Sequence, residues 1–409
     1  MGGCSMFSFS LVHLRLSRVR RFYKSKGLRS QIITLDNGST MHCWVPFEQE
    51  EPKRRNWRGQ AQPWNGERQR PTRHEEARER PSRSGLWRVR SRARAANTKP
   101  LHHRPAVVFI HGFGADGMAG WENQIAAFTK DYRVYVPDLL FFGKSSTRNT
   151  QRTEIFQADC IVNMLQKLNV METHVVGTSY GGFVAFWMAY KYPQLCWKVV
   201  LCSSGICMNP HTNDDLLREC NLRSVDEILL PTTVDGLKLA FSLLYVRPPA
   251  LPDFIVQQIL DIFYKREDRH HRIELLNAVV LGSEQCPPLP VLGQKVLIIW
   301  GREDRIFKLP LASQLQQHLG AKHADLVIME NTGHMPQTEK YKEFNAIILN
   351  FLDDSESSQG PFQDPYQRPP QRPQQRPQQQ EQEQEQQRPQ QQQQQRPQQQ
   401  QRPQQRPNR

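Results

Sequence analysis

The absences in this 409-residue chain narrow it first. No run approaches the ~18–20 consecutive apolar residues of a membrane-spanning helix, so no segment is expected to cross a bilayer that way. The eight cysteines (Cys4, Cys43, Cys160, Cys196, Cys202, Cys207, Cys220 and Cys286) show no C-x-x-C and no paired spacing. Several sit in apolar runs such as Val199-Val200-Leu201-Cys202, where cysteine acts as a small hydrophobe. They read as reduced thiols of an intracellular protein, not as a disulfide framework. A charged body is also missing. The formal charge is +14 and the pI near 9.5. Residues 1–100 hold 22 basic and 8 acidic side chains, 101–350 hold 24 and 25, and 351–409 hold 8 and 7. The excess is confined to the first hundred residues, so no specific nucleic-acid partner is expected for the body.

What is present divides into six parts. Residues 1–47 open with seven Lys/Arg before position 30 and no acid before Asp36, then give a strand–turn–strand signal at 31–35 and 40–45 around Asp36-Asn37-Gly38-Ser39. The basic opening fits a transit peptide, which would place the protein in an organelle. It fits equally an amphipathic surface helix packed on a cytoplasmic protein, and it is a candidate for peripheral membrane contact. Residues 48–104, rich in Arg and Pro without apolar periodicity, are expected to be a disordered insertion. The Gln/Pro/Arg tract 354–409 is expected to be a disordered tail.

Between them, 105–207 and 291–353 alternate strand and helix. Strands are expected at 106–110, 133–136, 174–176, 198–202, 295–300 and 325–330. Helices are expected at 124–129, 153–168, 180–190, 311–319 and 337–351. Apolar strands alternating with amphipathic helices imply an α/β fold, a mostly parallel sheet with helices on both faces. Residues 208–290 break the alternation and read as a helical lid over the sheet's carboxyl edge.

Chemistry gathers in four loops. Val175-Val176-Gly177-Thr178-Ser179-Tyr180-Gly181-Gly182 is strand, G-x-S-x-G, helix: a sharp turn that exposes the Ser179 hydroxyl, with Gly177 and Gly181 small enough for close approach. Tyr180 opens the helix, so its N–H is a candidate oxyanion donor. A serine nucleophile needs a base, and the base an orienting carboxylate. Asp304 follows the strand at 295–300, with Glu303 as the competing acid. His334 follows the strand at 325–330 in Asn331-Thr332-Gly333-His334. Phe109-Ile110-His111-Gly112-Phe113-Gly114 runs from strand into a His-Gly loop, where His111 is read as ordering the loop. Asp138, in Pro137-Asp138-Leu139, is read as a loop-organising carboxylate. No metal or organic cofactor is implied, because no ligand cluster is present.

The order Ser179, Asp304, His334 is that of the α/β-hydrolases, and the chain resembles a serine hydrolase of that superfamily. Within it the chain is similar to a group of plant proteins, and more distantly to monoacylglycerol lipases and meta-cleavage carbon–carbon hydrolases. The similarity spans about residues 11–46 and 105–352. It implies Phe113 as the second oxyanion donor. Gly120-Trp121-x-Asn123, Trp300-Gly301-Arg302-x-Asp304-Arg305 and Phe344-Asn345 are shared with the carbon–carbon hydrolases. The likeness implies Trp121, Asn123, Arg266 (or Arg269) and Met335 as substrate contacts. The chain departs from that group at Thr178, Met335 and Phe113, where Asn, Trp and a small residue are usual. Epoxide hydrolases carry an aspartate nucleophile, so Ser179 points away from their chemistry despite Tyr245 and Tyr264 in the lid. The expected activity is hydrolysis of a small-molecule carboxylic ester. The alternatives are carbon–carbon bond hydrolysis and a hydrolase-fold small-molecule receptor with slow turnover.

Overall fold

A computed structural model describes residues 10–47, 100–264 and 266–354. The insertion and tail expected at 48–104 and 354–409 lie, but for residues 100–104 and 354, outside the described residues. Eight strands form one sheet in the order β1-β2-β4-β3-β5-β6-β7-β8. They are β1 (Leu28–Thr34), β2 (Thr40–Pro46), β3 (Ala106–Ile110), β4 (Arg133–Pro137), β5 (Thr173–Thr178), β6 (Cys196–Cys202), β7 (Lys295–Gly301) and β8 (Ala324–Met329). The hairpin β1/β2 and the β2/β4 pair are antiparallel; every other pair is parallel. β3 and β7 show why: all of β3 and every residue of β7 except Lys295 are buried, as strands covered on both faces must be.

The helices outside the lid are α1 (Leu11–Ser25), α2 (Gly117–Phe128), α3 (Glu154–Lys167), α4 (Tyr180–Lys191), α10 (Pro310–Leu319), α11 (Pro336–Glu339) and α12 (Tyr341–Asp353). α3, α4 and α10 pack one face around Ala185, Phe186 and Leu315. α1, α2 and α12 pack the other around Leu16, Trp121 and Phe344. Burying each large apolar side chain contributes about 1.5–3 kcal/mol. Five helices fill the lid: α5 (Asp214–Glu219), α6 (Val225–Leu229), α7 (Val234–Leu244), α8 (Asp253–Phe263) and α9 (Arg266–Asn277).

The topology selects the site. The chain runs from β3 out to β4, then crosses through α3 to β5 on the other side of β3. Strand order therefore reverses between β3 and β5, and open α/β sheets bind ligands in the crevice beyond the carboxyl ends at such a point. The two segments that emerge there are the His-Gly loop and the turn carrying Ser179.

Candidate active site

Ser179 joins β5 directly to α4 with φ 52° and ψ −124°, a conformation that L-residues adopt only when their surroundings enforce it. The glycines show what enforces it. A Cβ on Gly177 would stand 2.3 Å from the Gly181 carbonyl oxygen, and one on Gly181 would stand 2.3 Å from that of Ile110. A Cβ on Gly182 would meet Ser204 Oγ at 1.8 Å. Strand, turn and helix are thus in backbone contact, and only glycine fits at each point. The Ser179 N–H donates to the Cys202 carbonyl at 2.9 Å, which ties the turn to the end of β6.

The His-Gly loop lies against this turn. A Cβ on Gly112 would be 3.1 Å from Ser179 Cβ. His111 is fully buried and makes two bonds that fix its tautomer. Nδ1 donates to the Gly112 carbonyl at 2.7 Å, and Nε2 accepts the Leu139 N–H at 3.0 Å. Burial pushes this ring below the usual histidine range, so it stays neutral and orders the loop. Asp138 anchors the same region, accepting from Gly117 N, Lys144 N and His42 Nδ1 at 3.0, 3.0 and 2.8 Å. Burial works to raise this carboxyl, but the bond to His42, the electrostatic pull of the His42 and His111 rings and the Lys144 N–H together hold the group below the usual range. Among the described residues the N–H groups of Phe113 and Tyr180 donate to no other protein group.

Asp304 and His334 meet. His334 Nδ1 lies 2.9 Å from Asp304 Oδ2 and 3.1 Å from Oδ1, both side chains almost fully buried. Asp304 Oδ1 also accepts the N–H groups of Ile306 and Phe307, each at 2.9 Å. Since a carboxylate accepts, Nδ1 carries the hydrogen, which leaves Nε2 to take a proton. Glu303 goes elsewhere: its Oε2 accepts the Thr332 N–H at 2.8 Å, and its N–H donates to the Thr332 carbonyl. The neighbouring acid therefore staples the histidine loop. The His334 ring packs at a tilt against Phe307, with centroids 5.7 Å apart. Phe307 and Ser179 both line one cavity of about 400 Å³, whose walls include Phe113, Phe183, Leu216 and Ile228 and, among the described residues, contain no Lys, Arg or His.

A family profile for the alpha/beta hydrolase fold matches residues 105–223, the span holding the His-Gly loop and the serine turn. The chain has the α/β-hydrolase fold. Among its curated relatives, the 2-hydroxy-6-oxononadienedioate/2-hydroxy-6-oxononatrienedioate hydrolase of a Pseudomonas species is 29% identical over 251 residues, covering 60% of this chain and 87% of the relative. The solved 2-hydroxy-6-oxo-6-phenylhexa-2,4-dienoate hydrolase of Rhodococcus sp. strain RHA1 aligns with a TM-score of 0.54 at 21% identity, over 79% of this chain and 99% of that one. A carboxylesterase of Bacillus subtilis aligns at 0.54 and 15%, over 83% and 98%.

Trp121, Asn123 and Met335 are not among the residues that line this cavity. Trp121 is fully buried among Phe109 and Phe344 on the α2 face of the sheet, so it is a core side chain. The Asn123 carbonyl accepts from Asn345 Nδ2 at 3.0 Å, an α2–α12 tie. Met335 caps α11, and its sulfur accepts from Gln337 Nε2 at 3.6 Å. Arg266 begins α9, and its side chain lies outside the described residues. Arg269 is held by Asp226 at 2.8 Å and by the Leu230 carbonyl.

Sequence reasoning passed over three groups that hold the site. Arg272 is the buried lid arginine, bonded to the Phe141 and Phe263 carbonyls and lying over the Phe142 ring. Glu339 accepts from Gly333 N at 2.7 Å and from Val246 N at 2.9 Å, tying the histidine loop to the lid. Glu154 accepts from Trp187 Nε1, Val280 N and Leu281 N, pinning the lid's far end to the core. A buried acid beside apolar neighbours was the only available signal for Glu154. Nothing in the sequence marks the other two.

Proposed function

We propose that this α/β-hydrolase is a serine hydrolase that cleaves carboxylic esters of moderately hydrophobic small molecules through an acyl-enzyme. Ser179 Oγ attacks the ester carbonyl carbon while His334 Nε2 takes its proton. Asp304 holds the imidazole and balances the charge it gains. The amides of Phe113 and Tyr180 receive the oxyanion, each such donor contributing on the order of 10²–10³ in rate. Collapse breaks the carbon–oxygen bond, and the alcohol leaves with the proton from His334. Water then repeats the cycle and releases the acid.

The observation that carries the ester reading is the cavity. Its wall is largely apolar and, among the described residues, offers no cation. Relatives named for dienoate substrates favour the second reading, hydrolysis of a carbon–carbon bond. A dienoate brings a carboxylate that needs a cationic partner on burial. Here Asp226 lines the cavity and Arg269 is already bound to it.

A panel of p-nitrophenyl esters from acetate to laurate, run beside a meta-cleavage dienoate, tests this. Sustained turnover, with kcat/KM rising from acetate to medium chains, is the expected result. A higher kcat/KM on the dienoate, or capture of ligand without turnover, would overturn it.

A further inference from the structure

We propose that the outward face of α1 docks this protein on bilayers containing anionic phospholipid. The helix buries Val12, Leu16, Val19 and Tyr23 against the body. Its other sides expose Arg18, Arg20, Arg21 and Lys24, followed by Lys26 and Arg29. The sequence holds no acid before Asp36. Among the described residues Arg15 of the same helix is bound to Glu122 at 2.8 Å and Arg20 acts on Asp116 at longer range, while the other five form no ion pair. Lys26 and Arg29 lie over the rings of Phe22 and Phe47 instead.

Apolar side chains share the surface. Leu11 is 43% exposed at the start of α1, and Phe254 is 57% exposed on lid helix α8. The two flank one junction. Gln258 Oε1 accepts from Ser10 Oγ at 3.1 Å and from Val12 N at 3.2 Å, on either side of Leu11. Phe254 stands one turn before Gln258, on the same helix face. Cations set among exposed leucine and phenylalanine suit a helix lying in a headgroup layer: the cations meet phosphate and the apolar tips reach the acyl boundary. A polynucleotide would satisfy the charges alone. The junction also joins the docking helix to the lid. Docking is independent of the reaction assigned above, so Ser179→Ala should bind vesicles as the unaltered chain does.

The test is cosedimentation of the full chain with phosphatidylcholine vesicles, with and without phosphatidylserine, at low and physiological salt. Partition onto the anionic vesicles is expected, weakening with salt. Each basic residue near such a surface contributes roughly fivefold, so Arg18→Glu with Arg21→Glu and Lys24→Glu should lose at least on the order of a hundredfold. Leu11→Asp with Phe254→Asp should lose about tenfold. Turnover of a soluble ester should be unchanged in both variants, which checks that they fold. A neutralising set, Arg18→Gln with Arg21→Gln and Lys24→Gln, repeats the charge test if the reversal does not fold. Absence of partition, or binding that survives loss of these charges, would overturn the proposal. So would equal binding to single-stranded RNA with no effect of the Leu11 and Phe254 changes.

Discussion

Gly301 and Gly333 meet backbone to backbone: a Cβ on Gly301 would stand 2.0 Å from the Gly333 carbonyl oxygen and 2.3 Å from that of Thr332. This contact lets the loops after β7 and β8 lie close enough for Asp304 to reach His334 at 2.9 Å. Two residues without functional side chains therefore set the geometry of the proposed acid–histidine pair.

Gly301→Ala should push these loops apart. The clash is with backbone, so relief requires a loop shift costing about 1–3 kcal/mol. That corresponds to a fall in Tm of several degrees by calorimetry. Misplacing the imidazole by roughly 1 Å should lower ester kcat on the order of 10²-fold. Turnover at the unaltered rate would show that the contact does not govern the site.

The two adjacent acids should separate cleanly. Asp304→Asn keeps the shape but offers His334 an amide, and should lower kcat about 10⁴-fold. Glu303→Gln retains an oxygen for the Thr332 N–H and should cost less than about tenfold, with a modest loss of Tm. Steady-state kinetics of both variants decides between them. A larger loss at Glu303 would transfer the orienting role to that residue.

Asp116 supplies a pH test beside the His-Gly loop. It caps α2, accepting the Ala119 N–H at 2.8 Å. Burial and the nearby Asp138 carboxylate push it up to about 6, whereas an unfolded aspartate titrates near ~3.9. Between these values the folded chain keeps a proton that the unfolded chain has lost. Stability therefore falls as pH rises from about 4 to 6 and is level above. Asp116→Asn keeps the cap without the charge. It should raise the unfolding free energy by up to about 3 kcal/mol at pH 8 and not at pH 4. Equal gains at both values in denaturant titrations would refute the assignment.

Much of this architecture is legible in the sequence, because buried parallel strands must be continuously apolar and hydrolase loops sit at their ends. The strand expected at 106–110 is β3 residue for residue, and the loops holding Ser179, Asp304 and His334 fall where the alternation places them. α2 is longer than the expected 124–129, starting at Gly117. Its glycines hide its first turns. Gly117 is there for contact: a Cβ would stand 2.5 Å from the Pro137 carbonyl oxygen, and its N–H serves Asp138. The helix expected at 337–351 divides at Lys340 into α11 and α12, leaving Glu339 free to face the Gly333 loop.

Side-chain destinations across the sheet are less legible. Trp121 follows the His-Gly loop by eight to ten residues in sequence, yet α2 carries it to the opposite face from the cavity. A motif fixes spacing along the chain, not the layer to which a helix turns its side chains. Arg272 illustrates the same limit. Three arginines of α9 look alike in sequence, and only the packed lid shows which is buried against carbonyls of Phe141 and Phe263.

The central claim is that Ser179 is a nucleophile activated by His334. Mass spectrometry of the full chain after reaction with a fluorophosphonate tests it most directly. The account predicts one adduct per chain, on the peptide containing Ser179, with no adduct in Ser179→Ala and a rate at least about 10³-fold lower in His334→Ala. An adduct on another residue, or labelling of the His334 variant at the unaltered rate, would contradict it.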